Sequence, residues 1–306
     1  MSSGSRPPRP PILPERAVWI DGTLRRGPEA TLSVFDRGAR DGEGLFETLR
    51  IYRGRPFLWR EHLERLVVSA AELGFPVPAS PRTLHEALEQ VLTGAGLADA
   101  VARLTVTRGV PSGGRGRRTR AGAWVEAEPI GARLWPGARN GAARAVLSKR
   151  PFELGPLGRY KTTSRLAYHL AREEARAARA DEALLVSPRG LVLEGSVSNL
   201  FVVSRGRVIT PALELGILPG ITRRVVLGLC AKLGLATEER SIELGEFGAA
   251  EEVFVTNSVQ EVVPMSRVED RLLASTEVGS HLAAGYRDEV ARLTGLEVAG
   301  DSPSSW

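Results

Sequence analysis

"EALLVSPRGLVLEGSVSNLFVVSRGRVITP", residues 182–211, packs four short extended runs into one uninterrupted stretch. The runs are "EALLVS" (182–187), "GLVLEG" (190–195), "SNLFVVS" (198–204) and "RVITP" (207–211), rich in Val, Leu, Ile and Phe and separated by turn residues. Strands this short, with no helix between them, do not build a doubly wound parallel sheet. They predict a barrel-like α+β domain.

Reading outward supports the same class. Downstream lie a helix "TRRVVLGLCAKLG" (222–234), strands "EEVFVTNS" (251–258) and "EVVPMSRV" (261–268), and a C-terminal helix near 280–294. Upstream are a strand "ARAVLSKRP" (143–151) and a helix over about 166–179. A separate α+β unit precedes these. "AVWIDGTLRR" (17–26) reads as a hairpin around Asp21-Gly22, and "GLFETLRIYRGRPFLW" (44–59) as a second extended pair. Amphipathic helices follow over 60–74 and 80–92, then strands over 101–109 and 121–129. The expected organisation is a disordered proline-rich tail (1–15), an N-terminal domain (16–130), a Gly/Pro-punctuated linker (131–141) and a C-terminal domain (142–306).

Composition narrows the function classes. The chain has 306 residues, 42% hydrophobic and 25% charged, with a net charge of +5. Basic residues are spread among acidic ones, which describes a mixed solvated surface rather than a nucleic-acid stripe. The densest basic run, "GGRGRRTR" (113–120), lacks interleaved aromatics and suits a small anion at least as well. Cys230 is the only cysteine, and the four histidines lack metal-ligand spacing, so no metal site is expected. The N-terminus has no apolar signal region and no long hydrophobic span follows, so the expectation is a cytoplasmic protein that meets neither membrane nor nucleic acid.

Chemistry is suggested by "GRYKTTSRLAYHLAREEA" (158–175). Lys161 is one of three lysines in a chain with thirty-eight arginines, and only Lys can act as an amine nucleophile. "TTS" (162–164) is expected to cap the following helix, with burial and the helix end lowering the lysine's proton affinity. A surface lysine in a Gly/Tyr loop fits the same letters. In "LVLEGSVSNLFVV" (191–203), Glu194 is either a hairpin carboxylate or a buried one facing a cationic ring nitrogen. "LGILPGITRRVVLGL" (215–229) opens a helix at Ile221-Thr222, either an ordinary capped helix or a phosphate site. "VTNSVQEVVP" (255–264) is a polar break carrying Thr256 and Ser258. Taken in order, an amine, a carboxylate, a helix start and a hydroxyl turn are what a phosphorylated pyridine aldehyde requires.

From about residue 16 to 295 the chain resembles the fold-type IV, class IV aminotransferase family of pyridoxal-phosphate enzymes. The matching blocks are "FDRGARDGEGLFETLR", "EHLERL", "KTTSRL", "DEALLV", "EGSVSNLF", "GILPGITRR" and "TNSVQEVVP". The resemblance implies two domains, a smaller N-terminal α/β sandwich and a larger barrel-like C-terminal α/β domain. It also implies pyridoxal 5′-phosphate as cofactor, Lys161 as the Schiff-base lysine and Glu194 as partner of the pyridine nitrogen. Arg65, Ile221, Thr222, Ser258 and Val259 would hold the phosphate, and Asn199 belongs with this cofactor-binding set. Family members are typically homodimers that share loops across the interface and act on a small amino substrate.

Among the branches, branched-chain aminotransferases usually have Tyr where this chain has Leu166, and "KTTSRL" is more similar to aminodeoxychorismate lyase. The expectation is therefore a lyase-like enzyme forming 4-aminobenzoate and pyruvate, the alternative an aminotransferase for D-amino acids or a broad range of amines. Arg115 and Arg117 in the Gly-Arg loop, and Arg40 in "ARDGEG", are the candidate carboxylate ligands.

Overall fold

The computed structural model describes residues 16–112 and 118–296. The first part carries β1 (Ala17–Ile20), β2 (Thr23–Arg26), α1 (Arg37–Asp41), β3 (Gly44–Tyr52), β4 (Arg55–Pro56), α2 (Trp59–Glu72), α3 (Pro81–Ala95), β5 (Ala100–Ser112) and β6 (Arg118–Pro129). Next come α4 (Pro136–Arg139), β7 (Arg144–Leu147), α5 (Leu166–Ala177), β8 (Glu182–Val186), β9 (Val192–Gly195), β10 (Asn199–Ser204), β11 (Arg207–Thr210) and α6 (Ile221–Lys232). The chain continues through β12 (Thr237–Glu239), α7 (Leu244–Ala249), β13 (Glu252–Asn257), β14 (Glu261–Pro264), β15 (Arg267–Val268), β16 (Arg271–Leu272) and α8 (Glu277–Thr294). The four runs of 182–211 are four strands, with α+β architecture around them. Residues 130–139 contain a 3-10 turn and the short α4, so helical turns occupy the stretch read as a linker.

Strands β2-β1-β6-β5-β3-β4 form one six-stranded sheet, antiparallel throughout. Leu45 and Ile51 of β3 pack with Leu63 and Leu66 of α2 and Leu84, Leu88 and Val91 of α3 in a single core. Helix α3 starts as its sequence dictates: Ser80 accepts the Thr83 amide and Pro81 fills the first position.

Two five-stranded sheets build the rest, β12-β11-β10-β13-β14 and β16-β15-β7-β8-β9. Their inner faces meet in one core, with Leu200, Val202, Val253 and Val255 from the first sheet against Ala145, Leu184 and Val192 from the second. The intervening residues Phe201 and Phe254 point the other way, stacked at 4.9 Å, into a core shared with α6, α8 and Tyr52 and Phe57 of the first unit. A strand buried on both faces has no polar side to show, which is why "NLFVV" reads as continuous rather than alternating. Because β9 and β10 run consecutively between the two sheets, residues 194–199 lie at their junction.

Candidate active site

Strand β4 pairs with β3 only at Ile51 and Tyr52, which leaves the first half of that β3 edge open. Residues 161–163 fill it. The Phe46 N–H donates to Lys161 O at 2.9 Å, and the Thr163 N–H donates to Gly44 O at 2.8 Å. Thr163 and Ser164 do not cap α5: their hydroxyls donate to Gly42 O, and the helix starts after Arg165 with no side-chain cap. The "TTS" segment is thus a strut from β3 to α5, and it fixes the backbone of Lys161. The lysine Nζ stands 4.8 Å from the centroid of the Phe46 ring. Burial, followed by the nearby Arg65 and Arg165, pushes the ammonium down to about 7, with Glu47 opposing. Neighbouring guanidiniums join burial here.

Glu194 lies in β9 and is buried. Its Oε2 accepts the Leu218 N–H at 3.0 Å and the Asn199 side-chain amide at 3.3 Å. The same Asn199 amide donates to Leu218 O at 2.9 Å, so Asn199 ties Glu194 to the segment leading into α6. Burial pushes the Glu194 carboxyl up to about 7, against the pull of Arg165, the Leu218 amide and Lys161. The adjoining loop hangs on a second buried carboxylate. Glu182 accepts the amides of Ser196 and Val197 and the hydroxyls of Ser196 and Ser198. A Glu inside the apolar run "DEALLV" was the only signal for it.

The third cluster surrounds the start of α6. Gly220 offers no side-chain cap, so the first-turn amides of α6 are left to an external acceptor. An added Cβ at Gly220 would meet Asn199 Oδ1 at 1.8 Å, so only glycine fits there. The hydroxyls of Thr222 and Thr256 are buried with no hydrogen-bond partner among the described residues. The Tyr286 phenol stands beside Thr222 without meeting hydrogen-bond geometry. Arg65 donates through Nη1 to Pro219 O at 2.9 Å, and through Nε and Nη2 to both oxygens of Glu47 at 2.8 and 2.7 Å. His62, three residues earlier on the same face of α2, holds Glu47 Oε2 at 2.7 Å through Nδ1 and Ser258 Oγ at 3.3 Å through Nε2. Burial alone would raise Glu47, but Arg65 and His62 outweigh it and bring the carboxyl down to about 2. The Val259 amide is engaged at 2.8 Å with Asn257 Oδ1, which also accepts the Gln260 amide.

All three clusters open on one cavity of about 450 Å³. Lys161, Arg65, Glu194, Asn199, Ile221, Thr222, Ser258 and Val259 all line it. Arg40 is exposed on α1 and is not among the lining residues, while Arg115 and Arg117 lie outside the described residues. Other arginines face the cavity instead. Arg103 lies 3.7 Å from the Phe46 ring centroid and Arg165 3.3 Å from that of Tyr168. Together with Arg172, they have no carboxylate ion pair among the described residues, and burial lowers the proton affinity of all three. Glu47, His62, Glu182 and Arg103 were not singled out from sequence, since each gains meaning only from a partner distant in the chain. The residues present fit pyridoxal phosphate: one amine, one proton-retaining carboxyl, and an open helix start with two orphaned hydroxyls and an arginine.

Known proteins share this arrangement of sequence. The model of the family described as "Amino-transferase class IV" matches residues 44–268. A putative branched-chain-amino-acid aminotransferase of Methanocaldococcus jannaschii is 32% identical, over 86% of this chain and 91% of that protein. A D-alanine aminotransferase of Bacillus licheniformis is 31% identical (86% and 92%), and an aminodeoxychorismate lyase of Bacillus subtilis 28% (90% and 95%). In structure, the branched-chain aminotransferase of Thermoproteus uzoniensis, solved with norvaline, superposes with a TM-score of 0.80 at 32% identity, covering 92% of this chain and 96% of that one. A second branched-chain enzyme, from T.th., was solved with pyridoxamine 5′-phosphate and gives 0.81 at 30% identity, covering 92% and 95%.

Proposed function

This chain belongs to the class IV aminotransferase family, and from that premise we propose that it is an aminotransferase for an amino substrate carrying a carboxylate. Its cofactor is pyridoxal 5′-phosphate. The observation that carries the reading is the convergence of the Lys161 amine, the Glu194 carboxyl and the α6 cradle on a single cavity.

In this reading Arg65, the first-turn amides of α6 and the hydroxyls of Thr222, Thr256 and Ser258 hold the phosphate. Glu194, steadied by Asn199 and Leu218, faces the ring nitrogen and keeps a proton available near neutral pH. When bound, the cofactor supplies an electron sink for the bonds at the substrate's Cα. Lys161 Nζ, whose proton affinity lies near neutrality, can take the Cα proton and return it elsewhere without a large mismatch in either direction. Arg103 and Arg165 orient the substrate by its carboxylate, since their guanidiniums are desolvated and lack an anionic partner among the described residues.

Elimination at the same Cα is a second reading. The arginine-lined wall suits a dianionic substrate such as aminodeoxychorismate, and the Arg165-Leu166 pair favours it in sequence. We extend the proposal to a cytoplasmic homodimer. The exposed run Leu32, Val34 and Phe35 supports the dimer, because such apolar side chains are costly to leave in water.

The test is to mix holoenzyme with D-alanine, L-leucine and each glutamate enantiomer and follow conversion to the pyridoxamine form. Conversion by a carboxylate donor, and not by the matching neutral amine, is expected. No conversion by any of them, with 4-aminobenzoate and pyruvate formed from aminodeoxychorismate, would replace transamination by elimination.

A further inference from the structure

His62 is buried and is not among the residues that line the cavity. Its two ring nitrogens are nevertheless committed, one to Glu47 and one to Ser258. Glu47 is an ionised carboxylate locked by Arg65, so it only accepts, and His62 Nδ1 must carry the proton of that bond. In the neutral ring Nε2 is then an acceptor. The Ser258 hydroxyl, 3.3 Å away, is its donor and points its hydrogen away from the cavity.

A phosphate oxygen in the cradle also only accepts. For Ser258 to donate to it, the hydroxyl must turn its hydrogen outward, which leaves Nε2 a buried acceptor without a donor. A proton on Nε2 resolves this, because the imidazolium donates to Ser258 Oγ while Ser258 donates to the anion. The dianion stabilises the new positive charge across a short desolvated distance. The charged groups facing the ring are Glu47 from β3, Arg65 one turn along α2 and Lys161 from the turn before α5. Burial and the two cations keep the ring neutral when the cradle holds no anion.

We propose that His62 is a positioning residue that binds one solvent proton when an anion occupies the phosphate cradle, and so sets the direction of the Ser258 hydroxyl. Ser258 keeps its own proton and only rotates it, and the added proton comes from solvent onto Nε2. The inference rests on the phosphate-site reading of the cradle. It makes anion affinity rise as pH falls, by up to about tenfold per pH unit between the proton affinities of the empty and occupied states.

The test titrates cofactor-free protein with sulfate, a dianion that does not itself take up protons near neutrality. Calorimetry at about pH 7.5, in buffers of different ionisation heat, yields the protons taken up per anion. A Lys161→Ala background removes the lysine's own titration. Uptake approaching one proton is expected there, falling to near zero in added His62→Asn or Ser258→Ala while sulfate still binds. In nitrogen-labelled histidine spectra of the unmutated chain, the His62 ring should shift to the imidazolium pattern on saturation with sulfate. Sulfate binding with no uptake, uptake undiminished by either substitution, or an unshifted His62 signal would overturn the proposal and leave the phosphate site standing. If neither sulfate nor pyridoxal phosphate binds, the phosphate site falls with it.

Discussion

The two ends of the cavity treat charge in opposite ways. At the end read as the phosphate site every charged group is paired inside the protein: Glu47 takes Nε and Nη2 of Arg65 and Nδ1 of His62, and His62 takes Ser258. At the ring and substrate end Arg103, Arg165 and Arg172 lack carboxylate partners among the described residues, and Glu194 is held by amides rather than by a cation. The two buried carboxyls show the difference directly, Glu47 brought down to about 2 and Glu194 pushed up to about 7. At one end the charged side chains are balanced before a ligand arrives, although the α6 amides and the Thr222 and Thr256 hydroxyls still await an acceptor; at the other the charges themselves are left to the ligand. A constant phosphate suits the first, and a substrate that must enter, react and leave suits the second.

Breaking what both ends serve has the largest expected effect. Lys161→Ala should cut turnover by on the order of 10⁴-fold, with loss of the borohydride-fixed mass adduct. Retention of that adduct would remove Lys161 from its role.

Glu194→Gln should lower turnover by about 10²-fold or more, while acting on cofactor-free stability in the direction opposite to Glu47→Gln. The Glu194 carboxyl binds its proton more tightly folded than unfolded, so it costs nothing below about pH 4.5, and its penalty is complete above about 7. Glu47 binds its proton more weakly when folded, so it stabilises above about pH 4.5 and loses that contribution as pH falls toward 2. Each displacement corresponds to roughly 3 kcal/mol. Urea denaturation across pH should therefore show Glu194→Gln more stable than the parent at pH 8 and Glu47→Gln less so. Difference curves of the same sign would erase the contrast between the ends.

Arg65→Ala strands Glu47 in the interior and should cost about 3–5 kcal/mol of stability, together with most of the affinity for pyridoxal phosphate. Arg103→Leu and Arg165→Leu are the gentlest expected changes. Each should raise KM for a carboxylate substrate by roughly 10- to 100-fold, with neutral amines unaffected and cofactor-free stability unchanged or improved, because a desolvated cation is removed. Equal losses for charged and neutral substrates would make these arginines part of the frame.

Much of the fold was legible in sequence because short apolar runs between turn residues identify strands locally. The four runs of 182–211 and the helices over 60–74, 80–92 and 222–234 differ from the observed elements by a few residues at their ends. The short α1 and α7 escaped detection because a turn or so of helix has no periodicity to read. Ser and Thr before a helix usually cap it, and the letters of "TTS" carry that signal. Only the open edge of β3 turns them into a strut.

From sequence alone came the chemical inventory: a rare lysine, a glutamate in an apolar strand, a glycine before a helix and a hydroxyl turn, in one order along the chain. Those are properties of residue type and spacing, which the chain carries without folding. The tertiary structure decided which arginines face the cavity, which carboxyl is pushed up and which is brought down, and which histidine stands between Glu47 and Ser258. Each of these depends on burial and on groups brought together from distant parts of the chain, as when Glu47 meets Arg65 and Glu194 meets Leu218.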